Sequence, residues 1–430
     1  MDDLDAGHRL PSYLTVQRPL LHSKYMDSRR KFIGQVATGL AGTLAVGPAG
    51  VLGANDRIRI GIVGAGDRGM ELVNHIRVCS NAEVGGFADI TAKRLEKAAG
   101  VAPGASIHRD YRNLLEDSSI DAVVIATPQH LRAEQFRDAL AAGKHVYLEK
   151  TMALTVAQAK QMRAAYQNDG GKRTVQIGHQ ATSTGHLTDV RPFLSQPDRM
   201  GQITAIAMQM HRNTPLNKPQ WARPALLTPD LTAANVDWAS FLGEAPQRAF
   251  DPHRLVHWRY FWDYSGGSVF EHMSQQLTFW YKALDLQIPL SASMEGGVYL
   301  WKDGREVPDT VSVTLQQPEE ILISWVSGLG NNQLGITEDV LGTNGSIARA
   351  SQVRYVPQKV NRPDLTEITG RSAHLPQAHM QNFLDSIRLS RESNCPFDLG
   401  YRVSIACRMA VDSYREGRTV RWNPQTEEIV

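Results

Sequence analysis

The chain has 430 residues, 42% of them hydrophobic and 21% charged, with a formal net charge of +2. At ~100–200 residues per domain this gives room for two domains and a leader, and the balanced charge, without long runs, argues against a nucleic-acid partner or a membrane-surface patch. The three cysteines, Cys79, Cys395 and Cys407, form no CxxC pair and no zinc-spaced Cys/His cluster, so neither a disulfide framework nor a metal site is expected and the thiols read as buried small hydrophobes.

Ser28-Arg29-Arg30-Lys31-Phe32-Ile33 opens into an uncharged stretch from Phe32 to Leu52. A basic segment ahead of a modest apolar one reads as a secretory leader. The adjacent arginines make it a twin-arginine (Tat) leader, which implies the Tat translocase as a transient partner and a periplasmic or otherwise exported protein. Gly34, Gly39, Gly42, Gly47, Gly50 and Pro48 make the stretch a poor membrane-spanning helix, although its length would suffice for one. Met26 stands two residues before Ser28, so residues 1–25 read as an over-extended start or a disordered tail. Residues 1–55 are set apart on this basis, with Ala49 and Ala54 both open as cleavage points.

Next comes Arg57-Ile58-Arg59-Ile60-Gly61-Ile62-Val63, a short β-rich apolar run of the kind buried in a parallel sheet. Gly64-Ala65-Gly66-Asp67-Arg68-Gly69 follows at once, and Met70 to Val78 has helical spacing. A GxGxxG alone is weak evidence; between a strand and a helix it is a dinucleotide fingerprint. Gly64 permits the tight turn, Gly66 lets backbone approach a pyrophosphate, and Gly69 lets helix and strand pack closely. The helix start then offers N–H groups to the phosphates. A second strand, Glu83 to Ala88, ends at Asp89, 20 residues beyond Gly69. A ribose-binding carboxylate is expected there, and it favours NAD by repelling a 2′-phosphate. Lys93 and Arg94 lie close behind, which keeps NADP as the alternative. Asp89 also has a lesser reading as a cap for the helix starting near Thr91, which does not exclude the ribose role.

Asp121 to Thr127 is another buried strand, stopped by Pro128. A helix from Arg132 to Ala142 is closed by Gly143. Lys144 to Thr151 forms the next strand and its exit. Strands alternating with helices make a doubly wound parallel sheet.

These residues resemble the Gfo/Idh/MocA (glucose–fructose oxidoreductase / inositol dehydrogenase / rhizopine catabolism) family. The resemblance rests on Gly64 to Gly69, Asp89, Thr127-Pro128, and Ala142 to Val146 running into Glu149-Lys150. It continues through Val175 to Gly178, Asn235 to Gly243, Trp258 to Gly267 and Trp301 to Thr310. It implies an α/β chain: a Rossmann domain over residues 56–178, then over 179–430 an α/β domain with an open, mostly antiparallel sheet that often mediates homo-oligomerisation. It further implies a sugar, polyol or related small-molecule substrate, and NAD held by Gly64, Ala65, Gly66, Arg68, Gly69, Asp89, Thr127, Pro128, His130, Glu149 and Lys150.

Read physically, the second half agrees. Gln202 to Met210, Val311 to Gln316 and Ile321 to Val326 read as strands, the last two at hairpin spacing. Trp258, Trp262, Trp280, Trp301 and Trp325 read chiefly as core or sheet-face residues. His379 to Leu389 and Tyr401 to Glu416 read as helices, with Asp398-Leu399-Gly400 leading into the second.

Oxidising an alcohol carbon requires a base for the hydroxyl proton. The family supplies a lysine in a Glu-Lys-Pro motif; here Glu149-Lys150 is present and Thr151 replaces the proline. The family's second signature, Asp, His and Asp after a Gly-Gly turn, falls on Glu271, Gln275 and Thr278. Glutamine can hydrogen-bond a hydroxyl but cannot take its proton. His272, on a neighbouring helical face, is the substitute to test. Arg132 stands where a histidine is frequent after Thr-Pro, and Tyr401 where another is common. The catalytic set is thus Lys150, Gln275, His272 and Glu271. Three functions compete: a carbohydrate oxidoreductase, a glycosidase working by NAD-dependent oxidation and elimination, and a nucleotide-binding protein with altered catalysis.

Overall fold

The computed structural model describes residues 57–430; the leader region falls outside them. Six parallel strands form the first sheet: β1 (Ile58–Val63), β2 (Ala82–Ala88), β3 (Ser106–His108), β4 (Ala122–Ile125), β5 (His145–Leu148) and β6 (Val175–Ile177), in the order β3-β2-β1-β4-β5-β6. β1 and β4 are apolar almost throughout because helices cover both faces of the sheet. The strand order reverses between β2 and β4 around β1, and ligands bind beyond the carboxyl ends of strands at such a switch point.

The helix after the glycine turn runs Asp67–Arg77, three residues earlier than its apolar spacing suggests, and Arg132–Ala141 follows β4 as expected. β3 and the short helix Tyr111–Glu116, capped by Asp110, had no signal strong enough to be read.

The second sheet has ten strands: β7 (Ile203–His211), β8 (Ser291–Gly297), β9 (Thr310–Gln316), β10 (Leu322–Gly328), β11 (Ile336–Gly342), β12 (Gly345–Arg349), β13 (Val353–Pro357), β14 (Ile368–Thr369), β15 (Val420–Asn423) and β16 (Glu428–Ile429). Their order is β14-β13-β12-β11-β7-β10-β9-β8-β15-β16. Only β7 and β10 pair in parallel; β9 and β10 form the expected hairpin. Along β7, Ile206, Met208 and Met210 point inward, while Ala205 and Ala207 point outward, the period-2 alternation of a sheet with one covered face.

The inner face packs on helices Ser274–Leu284 and Phe397–Glu416. The latter starts at Phe397, so Asp398-Leu399-Gly400 is its first turn and not a lead-in. Trp280 and Trp325 are core residues, and all three cysteines are free and buried. Helix Ala378–Leu389 returns to the first sheet, placing Met380, Phe383 and Leu384 against Ile60, Leu72 and Tyr147.

Candidate functional site

A cleft of about 1280 Å³ opens at the switch point. Small-ligand cavities measure roughly 300–1000 Å³, so it has room for a dinucleotide. Gly64, Ala65, Gly66, Arg68, Asp89, Thr127 and Pro128 line it, as the fingerprint requires. Gly64 takes φ +94°, open to glycine and strained for other residues. At Gly69 an added Cβ would stand 2.0 Å from the Gly64 carbonyl oxygen; at Gly66 it would meet nothing within 4 Å, so this backbone faces open cleft. No side chain caps the Asp67–Arg77 helix, leaving its first N–H groups available to an anion. These residues fit a dinucleotide pyrophosphate.

Asp89 is buried, and both its oxygens accept, one from Ala65 N–H and one from Thr91 N–H, each at 2.9 Å. It thus braces the glycine turn as well as the following helix start, and each oxygen keeps a lone pair for a ribose hydroxyl. The cap of that helix is Thr91 itself. Arg94 lies 3.7 Å from Asp89, and Lys93 reaches 3.2 Å across the cleft to Asp230. Both cations near the ribose position therefore face a carboxylate. Trp221, Arg223, Asp230 and Asn235 wall the cleft from the second half of the chain, and a β-bridge from Thr91 to Val236 anchors that wall.

Four expected cofactor residues, Gly69, His130, Glu149 and Lys150, are not among those that line the cleft. Glu149 is buried and takes the Arg68 guanidinium on one oxygen, with Nε and Nη2 both at 2.8 Å. It orients Arg68 and does not line the cleft. His130 lies beneath the cleft wall, its Nε2 at 2.6 Å from the Phe241 carbonyl and its ring against Phe241 and Tyr264. Burial pulls its pKa down to about 4. Gly69 packs the helix start closely on the Gly64 carbonyl and does not line the cleft.

Lys150 stands at the exit of β5, where the Lys150–Thr151 peptide is cis. Its Nζ donates to the Glu271 carbonyl at 2.8 Å and to Glu271 Oε2 at 3.1 Å. Glu271 Oε1 accepts from Gln129 at 2.8 Å and lies 3.4 Å from Arg259 Nε. Burial works against ionisation of Glu271, yet Lys150, Arg259 and Arg132 hold its carboxyl far below the usual carboxylate range. Gln275 donates at 2.7 Å to the same Glu271 carbonyl, so lysine and glutamine converge on one oxygen.

His272 is buried, with Nδ1 unpartnered and its ring 5.7 Å from that of Trp221. Burial, then the charges of Arg212 and Lys150, lower its pKa to about 3. A nitrogen so reluctant to hold a proton is a poor replacement for a histidine acid/base.

Sequence reasoning missed the frame around Lys150. Gln129 is wholly buried and links Glu271 to the Gly266 N–H, which donates to its Oε1 at 2.9 Å. Arg132, also buried, donates from Nε and Nη2 to the Thr127 carbonyl at 2.9 and 2.7 Å. Its Nη1 donates to the Glu149 and Thr151 carbonyls at 3.0 and 2.9 Å. One guanidinium therefore fixes both flanks of Lys150 to the exit of β4. Burial pulls its pKa down to about 10, which leaves it charged at neutral pH. The signal available was an arginine at a place the family often gives to histidine.

Residues 58–179 match the family model described as the oxidoreductase family with an NAD-binding Rossmann fold, GFO_IDH_MocA. The uncharacterized oxidoreductase YrbE of Bacillus subtilis is 30% identical over 138 residues, 32% of this chain and 40% of that protein. An inositol 2-dehydrogenase of Salmonella typhimurium is 34% identical over 123 residues, 28% of this chain and 36% of its own length. The chain thus aligns with well under half the length of these relatives. The crystal structure of an oxidoreductase domain protein from Kribbella flavida superposes with a TM-score of 0.66 at 16% identity, covering 85% of this chain and 98% of its own, and shares the fold. Residues 58–179 thus carry an NAD-binding Rossmann fold that is similar to that of the Gfo/Idh/MocA oxidoreductases.

Proposed function

We propose that the protein oxidises a hydroxyl-bearing carbon of a sugar, polyol or related carbohydrate, with Lys150 as the acid/base. NAD, when bound, supplies the hydride acceptor. The observation that carries this reading is the Lys150–Glu271 pair, which meets the glycine-turn cleft through Arg259, a residue that lines the cleft and lies 3.4 Å from Glu271. An ammonium group has three donors. Glu271 takes two, which leaves one directed position for a substrate oxygen. In oxidation the neutral amine takes the hydroxyl proton as hydride leaves carbon; in reduction the ammonium returns it. Gln275 orients the substrate through its free carbonyl oxygen, and Gln129 and Arg132 keep the pair in place. Asp89, with Lys93 and Arg94 turned to carboxylates, favours NAD over NADP.

The experiment is to incubate purified protein and NAD with sugars, polyols and nitrophenyl glycosides. Reduced nicotinamide and released phenol are followed separately. Accumulation of reduced cofactor supports dehydrogenation. Phenol release without net reduction supports the glycosidase alternative. Bound cofactor with neither signal supports a non-catalytic role.

Two further parts of the reading concern the whole protein. The outer face of the second sheet exposes Leu322, Val326 and Leu341 among small residues, and we infer that a second copy covers it. Light scattering on Val326→Lys tests this: an unchanged mass for a dimeric wild type would remove the idea. Export by the Tat route rests on Arg29-Arg30, outside the described residues; a double lysine substitution there should retain the protein in the cytoplasm on fractionation.

A further inference from the structure

The region around Glu271 is over-supplied with positive charge. Lys150 and Gln129 already occupy its two carboxylate oxygens. Arg132 and Arg259 add two more cations to the same surroundings, and Arg132 is buried with its donors on backbone carbonyls. The excess falls on Arg259, which lines the cleft. Its guanidinium carbon stands 4.1 Å over the Trp258 ring, and its nearest anion is Glu271 at 3.4 Å from Nε. That contact makes no well-aligned hydrogen bond: Nε is buried without a partner. Among the described residues nothing accepts from either terminal nitrogen.

A guanidinium stacked on an indole is held in one plane. Its two terminal N–H groups then present a fork, the geometry that matches a carboxylate or phosphate in bidentate fashion and a neutral hydroxyl poorly. The glycine turn and uncapped helix start already provide for the cofactor pyrophosphate elsewhere in the cleft. Resting on the proposed oxidation of a carbohydrate at Lys150, we propose that the substrate is a carbohydrate acid whose carboxylate docks on Arg259. The ring or chain carbon to be oxidised then lies between that anchor and Lys150. Arg259 fixes both specificity and orientation, and takes no proton.

The test uses the NAD-loaded full chain and matched pairs: D-glucuronate with D-glucose, D-galacturonate with D-galactose, and D-gluconate with sorbitol. Formation of reduced nicotinamide gives kcat/KM, and calorimetry gives the affinity of each compound. The acid member of a pair should be preferred on the order of 10–100-fold, the scale of a charged bidentate contact. Arg259→Met should collapse that acid-to-neutral ratio, chiefly through KM, while Arg259→Lys keeps part of it. Circular dichroism and NAD affinity report on folding; if the Met variant does not fold, the Lys variant carries the comparison. Equal use of acid and neutral partners, or an equal loss on both in the variant, overturns the inference. So does a variant whose main defect is weaker NAD binding, since the guanidinium then serves the pyrophosphate. Turnover of neutral sugars alone sinks this inference and spares the oxidation reading. A protein that holds NAD but neither binds nor turns over any pair sinks both.

Discussion

Lys150 and Glu271 lie 121 residues apart in the chain and are joined twice, by a side-chain ion pair and by a bond from Nζ to the Glu271 backbone carbonyl. The second bond survives removal of the carboxylate, so the two components can be separated. Lys150→Met should lower turnover by about 10²–10⁴, the scale of general acid–base catalysis, with little change in NAD affinity. Gln275→Ala should cost less, because only hydrogen bonding is lost, and Gln275→His should raise turnover by restoring a group that takes protons. Steady-state kinetics on the three variants decide it. Near-normal turnover in Lys150→Met, with activity abolished in His272→Ala, would move the base to His272.

Arg132 bonds three carbonyls inside the protein. Each buried acceptor left unpaired costs roughly 1–3 kcal/mol, so Arg132→Met should destabilise the fold by about 3 kcal/mol or more in urea titrations. Arg132→Lys should recover only part of this, since a single ammonium cannot span all three acceptors. A loss of under about 0.5 kcal/mol, the range of ordinary surface changes, would show that the clamp is dispensable.

Asp89→Ala should weaken NAD more than NADP, because only a 2′-hydroxyl donates to that carboxylate. It should also weaken both to some degree, since the bond from Ala65 N–H is lost with it. Paired dissociation constants by fluorescence titration give the ratio. Equal losses would leave Asp89 with the turn alone.

Buried histidines make stability depend on pH, among them His130, His272, His379 and His179, the last held well below its ordinary value by burial. Burial lowers His130 and His379 to about 4, and His272 to about 3, all below the ordinary value near 6.5. At neutral pH native and unfolded chains both carry them uncharged. As pH falls through about 6.5 the unfolded chain binds protons that the native protein refuses, so stability is lost from there down towards about 4. Each group contributes up to about 1.4 kcal/mol per pH unit within its window. Denaturant titrations from neutral pH to about 4.5 should show this slope, and His272→Gln should flatten it by one proton. Stability constant across that range would contradict the burial argument.

The first sheet, β3 apart, was legible because its signals were local. A run of six residues made β1, a glycine pattern made the turn, and an acid at fixed spacing made Asp89. The frame of Lys150 was not, because Gln129 meets Glu271 across 142 positions. Helical geometry misled as well. Val269–Met273 is a π-helix, so the α-helical angle between Glu271 and His272 does not apply there. His130 and Glu149 have the right residue types at the right strand exits. Only packing shows that one turns to a carbonyl and the other to an arginine.

Gly66 has an ordinary extended backbone, φ −73° and ψ −174°, and no neighbour for a methyl group to strike. The folded chain by itself has no use for a glycine there. Alanine at this position should leave unfolding free energy within about 0.5 kcal/mol yet lower NAD affinity, because the methyl group would fill space the pyrophosphate needs. Alanine at Gly69 should harm the fold first. The two substitutions give a clean pair of controls, one that silences the cofactor in an intact protein and one that does not, and the first offers a way to prepare the cofactor-free protein without denaturing it.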